Sequence, residues 1–132
     1  MNISPIGTVR ILSAEESVLD IEPAYREGLS GIGVGDRLQV LYWMHELEEG
    51  NRDRLMVHPR GDRTRPRKGV FALRSPARPN PIGVTEVVVR RLAGSRLFVR
   101  GLDALEGSPT IDIKGLGGQK DDDARCFASP PR

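Results

Sequence analysis

Short β-favouring runs, each cut off by glycine or proline within a few residues, constrain this chain most. They fall at 3–10, 18–21, 38–43, 55–57, 70–73, 84–89, 97–102 and 110–113. Within 38–43, Leu38, Val40 and Tyr42 alternate with Gln39, Leu41 and Trp43, the period of a strand with two unlike faces. No amphipathic stretch of helix length interrupts the series. The segment Pro23-Ala-Tyr-Arg-Glu-Gly28 reads as a single turn, with proline at its first position and glycine as terminator. The stretch 45–50 reads as another. About eight short strands without crossover helices predict a mainly β fold, a small single-sheet β-barrel of seven to eight strands with one or two helical turns. They exclude a doubly wound nucleotide-binding domain, which alternates strands with helices.

With 132 residues there is room for one domain, and 38% hydrophobic content with 15 glycines is ordinary globular composition. No apolar run reaches membrane-spanning length. The start, Met-Asn-Ile-Ser-Pro-Ile-Gly-Thr-Val-Arg, lacks the basic flank and apolar core of a secretory signal, so the expected compartment is the cytoplasm. A single cysteine, Cys126, excludes an internal disulfide and a multi-cysteine zinc site. His45 and His58 have no partner carboxylates at ligand spacing, so no metal is expected. The sequence from 115 onward, with its Asp121-Asp122-Asp123 run and Ser-Pro-Pro-Arg end, reads as a partly disordered tail behind a 1–114 domain.

Charge is distributed unevenly. Residues 1–50 carry 3 basic and 9 acidic groups, residues 51–100 carry 13 and 3, and residues 101–132 carry 4 and 6. Seventeen of the 20 basic residues are arginine, whose planar fork suits phosphate and carboxylate. A basic centre between acidic ends suits an anionic partner such as RNA, or a solvated arginine-rich surface. Gly31-Ile-Gly33-Val-Gly35 looks like a cofactor loop, but a strand follows where a phosphate-binding loop needs a helix, so it reads as a turn.

The unusual segment is Gly69-Val-Phe-Ala-Leu-Arg-Ser-Pro-Ala-Arg-Pro-Asn-Pro-Ile-Gly83. A strand is expected to run into Arg74-Ser75-Pro76. Ser75, Arg78 and Asn80 each precede a proline, which biases their backbones toward extended geometry before any ligand arrives. Such stiffness suits a site with prepositioned polar groups, or a rigid crossover.

This segment closely resembles the signature of the TsaA-like, or TrmO, family of tRNA methyltransferases. The similarity extends over about residues 3–114. It includes Pro5-Ile-Gly-Thr-Val, the Pro23-Ala-Tyr-Arg-Glu-Gly-Leu segment, Val40-Leu-Tyr-Trp-Met-His45 and the Gly101 to Lys114 stretch. The resemblance implies a single-sheet β-barrel, S-adenosylmethionine as cofactor, a homodimer with the cofactor near its interface, and tRNA as substrate. The reaction it implies is methylation of the exocyclic nitrogen of threonylcarbamoyl-adenosine. It implies cofactor contacts at His45, Glu46, Arg74, Val84, Gly101, Leu102, Asp103, Ala104 and Leu105. Glu46 and Asp103 are the candidate bases, and the choice between them stays open. Arg78, Asn80 and the 54–68 loop are candidates for substrate contacts, with dimer packing as their alternative role. The sequence departs from the family after Lys114, where the usual Pro-Tyr is Gly115-Leu116. That keeps two alternatives open: a methyltransferase for a small molecule or other non-tRNA substrate, and a noncatalytic RNA-binding barrel.

Overall fold

The computed structural model describes residues 1–45 and 52–116. Six strands close into an antiparallel barrel: β1 (Gly7–Ile11), β2 (Glu16–Ile21), β3 (Arg37–Trp43), β6 (Ile82–Ala93), β7 (Arg96–Arg100) and β8 (Pro109–Gly115). Their order around the barrel is β1-β2-β7-β6-β3-β8, with β8 returning to β1. Two short strands, β4 (Met56–Val57) and β5 (Lys68–Gly69), pair with each other as a separate flap.

Alternation dictates the interior. On β3, Leu38, Val40 and Tyr42 point inward and are buried, while their neighbours are partly or fully exposed. Val9, Leu19, Val87, Val89, Leu97 and Val99 complete the core from the other strands, each 0–1% exposed. Full burial of such side chains contributes roughly 1.5–3 kcal/mol each. Strand β6 is long enough to serve two neighbours, pairing with β3 over its first half and with β7 over its second. A register shift between Val89 and Arg91 bends it around the barrel, and another between Leu41 and Tyr42 bends β3 against β8. Gly7 permits the β1–β2 approach, since a Cβ there would sit 2.5 Å from the Asp20 carbonyl oxygen.

The expected strand at 70–73 is instead a 3-10 turn, Val70–Ala72, and the strand lies just before it. Val70 is fully buried and Phe71 is 78% exposed, so this apolar run is a corner rather than a ladder. The Pro23 turn is observed as a seven-residue 3-10 segment, Pro23–Leu29, and a third turn spans Pro59–Gly61. The glycines at 31 and 35 hold positive φ, 95° and 90°, in the turn before β3. The expected strand 97–102 ends at Arg100. Strand β8 runs to Gly115, one residue past the expected domain end. The expected tail beyond Leu116, Cys126 included, lies outside the described residues, as does Glu46.

Candidate functional site

One mouth of the barrel, where β3 ends and β6 begins, carries a cleft of about 670 Å³. That volume suits a nucleoside-sized ligand. Its floor is Tyr42. The β3–β6 register sets Tyr42 opposite Gly83, and the tyrosine ring occupies the space a Cβ at 83 would need, 2.5 Å from Cε2. The Tyr42 hydroxyl shares a 3.0 Å hydrogen bond with Thr85 Oγ1 and donates to the Asp103 carbonyl. Burial pushes its pKa above the usual 10.0; Asp103 adds to the rise, while the Thr85 bond and Arg74 oppose it.

The 101–108 loop forms one wall. Gly101 (φ 95°) turns the chain out of β7 and Gly107 (φ 81°) turns it back toward β8. The Gly107 amide donates to the Val9 carbonyl at 2.8 Å, tying the loop to the barrel. Ser108, 1% exposed, donates through Oγ to the Leu105 carbonyl at 2.7 Å and meets His45 Nδ1 at 3.4 Å.

The proline-rich loop forms the opposite wall, and Arg78 organises it. Its Nε donates to the Ser75 carbonyl at 2.7 Å, and its Nη2 donates to the carbonyls of Val70 at 2.6 Å and Leu73 at 2.5 Å. Arg52 anchors the far side, donating from Nε to the Pro79 carbonyl at 2.8 Å with its guanidinium 5.4 Å above the Trp43 ring. The Met44 amide donates to the Pro81 carbonyl at 2.8 Å. Arg74 is exposed and donates to the Val84 carbonyl at 3.3 Å, so its charge stands at the rim with one backbone tether.

Of the residues expected at the site, Arg74, Arg78, Val84, Asp103, Ala104 and Leu105 line this one cleft. His45 joins it through Ser108. Gly101 hinges the wall, and Leu102 packs against the core. Asn80 is exposed and lies off the lining; its carbonyl accepts from the Ile82 amide at 2.7 Å. Sequence reasoning missed Tyr42, Thr85 and Ser108. Glu86, also on the lining, is paired with Arg37 at 3.0 Å.

A second cleft, about 1,180 Å³, adjoins the first and shares Leu73, Arg74 and Pro76 with it. Among the described residues seven cationic ones line it: Arg54, Arg60, Arg63, Arg65, Arg67, Lys68 and Arg74. Among the described residues no carboxylate lies on its lining. Asp62 stands nearby, 3.9 Å from the Arg65 guanidinium. The Thr64 hydroxyl and amide bind its carboxylate and hold its pKa below the usual carboxylate value. Like-signed cations around a concave surface raise the local concentration of a polyanion. A third hollow of about 450 Å³, at the opposite end of β3, holds none of the expected site residues. Among the described residues no group of three or more His, Cys, Asp or Glu could hold a metal, and no helix is long and apolar enough to cross a membrane.

Comparison with known proteins adds to this geometry. The tRNA-methyltransferase O N-terminal domain matches residues 5–122. A probable S-adenosyl-L-methionine-binding protein of Methanocaldococcus jannaschii is 44% identical over 113 residues, covering 85% of this chain and 89% of that protein. An S-adenosyl-L-methionine-binding protein of Archaeoglobus fulgidus is 46% identical over 127 residues, covering 86% and 88%. A crystal structure of TrmO aligns with a TM-score of 0.66 at 26% identity, covering 91% of this chain and 57% of that one. TrmO from Pseudomonas aeruginosa aligns with a TM-score of 0.66 at 25% identity, covering 99% and 63%. The chain thus spans about three fifths of the crystallised TrmO chains.

Proposed function

The chain belongs to the tRNA-methyltransferase O N-terminal domain family, and from that premise we propose that it is an S-adenosylmethionine-dependent methyltransferase acting on tRNA. The finer reading is that it methylates the exocyclic nitrogen of threonylcarbamoyl-adenosine, in the cytoplasm, as a homodimer. The observation that carries the proposal is the adjacency of two clefts. One is nucleoside-sized and part apolar, the other is lined by seven cations, and Arg74 belongs to both.

The donor set fits the cofactor. Arg74 offers a charged fork for a carboxylate or ribose. The backbone of 102–105 can read a purine edge while Leu73 and Leu105 cover its face. His45, held through Ser108, stands at the end of that wall. When bound, S-adenosylmethionine supplies an electrophilic methyl group on a sulfonium. The protein's own task is alignment and water exclusion. The basic cleft holds phosphates so that one nucleoside reaches the shared rim at Arg74. The acceptor nitrogen would lose its proton as its bond to the methyl carbon forms and the methyl–sulfur bond breaks, the thioether leaving, and a carboxylate is the suitable base. Glu86 is paired with Arg37 in an exposed ion pair. Asp103, exposed on the lining, is the candidate among the described residues, beside Glu46 from the sequence reading.

Support for self-association comes from the flap. Leu55, Met56 and Phe71 are 58%, 45% and 78% exposed on β4 and the adjoining turns, and Met56 lines the basic cleft. A contiguous apolar patch of several such groups would be a candidate contact surface.

The decisive experiment is transfer of labelled methyl from S-adenosylmethionine to tRNA carrying threonylcarbamoyl-adenosine. Transfer is expected, and it should fall at least tenfold when Arg63, Arg65 and Arg67 are changed together to Glu. Cofactor binding without tRNA retention at moderate salt would instead point to a small-molecule acceptor. Absence of cofactor binding would leave a noncatalytic barrel.

A further inference from the structure

We infer that Tyr42 and Ser108 are positioning residues that fix the backbone reading the cofactor's adenine, an inference resting on the S-adenosylmethionine reading above. The wall at 102–105 is built from Leu102, Asp103, Ala104 and Leu105, and three of these have no hydrogen-bonding side chain. Apart from the Asp103 carboxylate, a purine edge lying there is read by main-chain groups. Recognition then depends on how firmly the main chain is held, because loop ordering on binding subtracts directly from affinity.

Two hydroxyls add to the backbone bonds that hold it, the Ser108 amide to the Leu105 carbonyl at 3.1 Å and the Gly107 amide to the Val9 carbonyl at 2.8 Å. Tyr42 donates to the Asp103 carbonyl, and Ser108 donates to the Leu105 carbonyl at 2.7 Å. The two bonds flank Ala104, which itself packs against the core. Neither hydroxyl is needed for packing. Phenylalanine would fill the space over Gly83 equally well, and alanine would satisfy the tight site at 108. Placing a hydroxyl at 5% or 1% residue exposure is costly unless it is bonded. Each here spends its donor on the cleft wall rather than on the barrel ladder. Thr85 completes the arrangement, since its bond to the Tyr42 hydroxyl aims the phenol toward Asp103.

The test compares Tyr42→Phe and Ser108→Ala with the parent protein. Calorimetry measures the dissociation constants of S-adenosylhomocysteine and S-inosylhomocysteine, which differ only at the purine edge, alongside thermal melting. The parent should prefer the adenine form. Each variant should weaken binding of the adenine form about three- to tenfold, the loss of one hydrogen bond. Binding of the inosine form should change less than twofold, so the preference shrinks. Equal loss for both ligands, no loss for either, or a parent that does not discriminate would overturn the inference. If Tyr42→Phe fails to fold, Ser108→Ala carries the test alone. A parent that binds neither ligand refutes the cofactor reading itself, which distinguishes the two failures.

Discussion

Replacing Arg78 with alanine should unlock the proline-rich wall while leaving the barrel intact. The guanidinium donates three bonds of 2.5–2.7 Å to the carbonyls of Val70, Leu73 and Ser75. A bond from a charged donor contributes about 1.5–3 kcal/mol. The three share one cation, and the Val70 carbonyl keeps the Leu73 amide as a donor. The total is therefore closer to one strong bond than to three, about 3 kcal/mol. That corresponds to a roughly 150-fold rise in local opening of the loop. Hydrogen exchange over 70–82 reads it directly, through amides such as Leu73, bonded to the Val70 carbonyl at 3.2 Å, and Ala77, bonded to Ser75 Oγ at 3.1 Å. Peptides from β2 and β7 serve as the internal control, because their buried leucines and valines do not touch the clamp. Arg78→Lys should fall between, since an ammonium cannot fork to three carbonyls in one plane. Unchanged protection over 70–82 in the alanine variant would refute the clamp and return the rigidity of the loop to its prolines alone.

Gly83→Ala drives a methyl group into the Tyr42 ring, which its hydroxyl bonds hold in place. It should destabilise the fold by about 1–3 kcal/mol in denaturant melts. Arg74→Ala should lower affinity for S-adenosylmethionine by about 1.5–3 kcal/mol, some 10- to 150-fold by calorimetry, with the melting temperature held. Tyr42 binds its proton more tightly folded than unfolded, because burial raises its pKa. Its contribution to stability is therefore complete below about 10.0 and is lost as pH rises through the folded value. Stability profiles above pH 9 should be flatter for Tyr42→Phe than for the parent.

The sequence carried the barrel well, because each strand is a local record of alternating burial: Leu38, Val40 and Tyr42 announce the inner face of β3 without help from elsewhere. It failed at 70–73, where a short apolar run is equally compatible with a strand and with a corner. What decides between them is Arg78, which takes the Val70 and Leu73 carbonyls that a ladder would have used. The same bonds show why a motif points to a place better than to a role, since an arginine expected to meet substrate commits its Nε and Nη2 to its own loop. Tyr42, Thr85 and Ser108 were illegible for a different reason. Tyr42 meets Thr85 43 residues on, from the neighbouring strand, and Ser108 meets His45 63 residues back, and no local pattern encodes such meetings.

Trp43 is the only tryptophan in the chain, and a guanidinium from beside the flap rests on its face. Arg52 also grips Pro79, so indole and proline-rich wall are mechanically linked. Intrinsic fluorescence is therefore a native optical gauge of the cleft: any occupant that lifts or tightens that wall alters quenching of a lone emitter, without a dye or an added label.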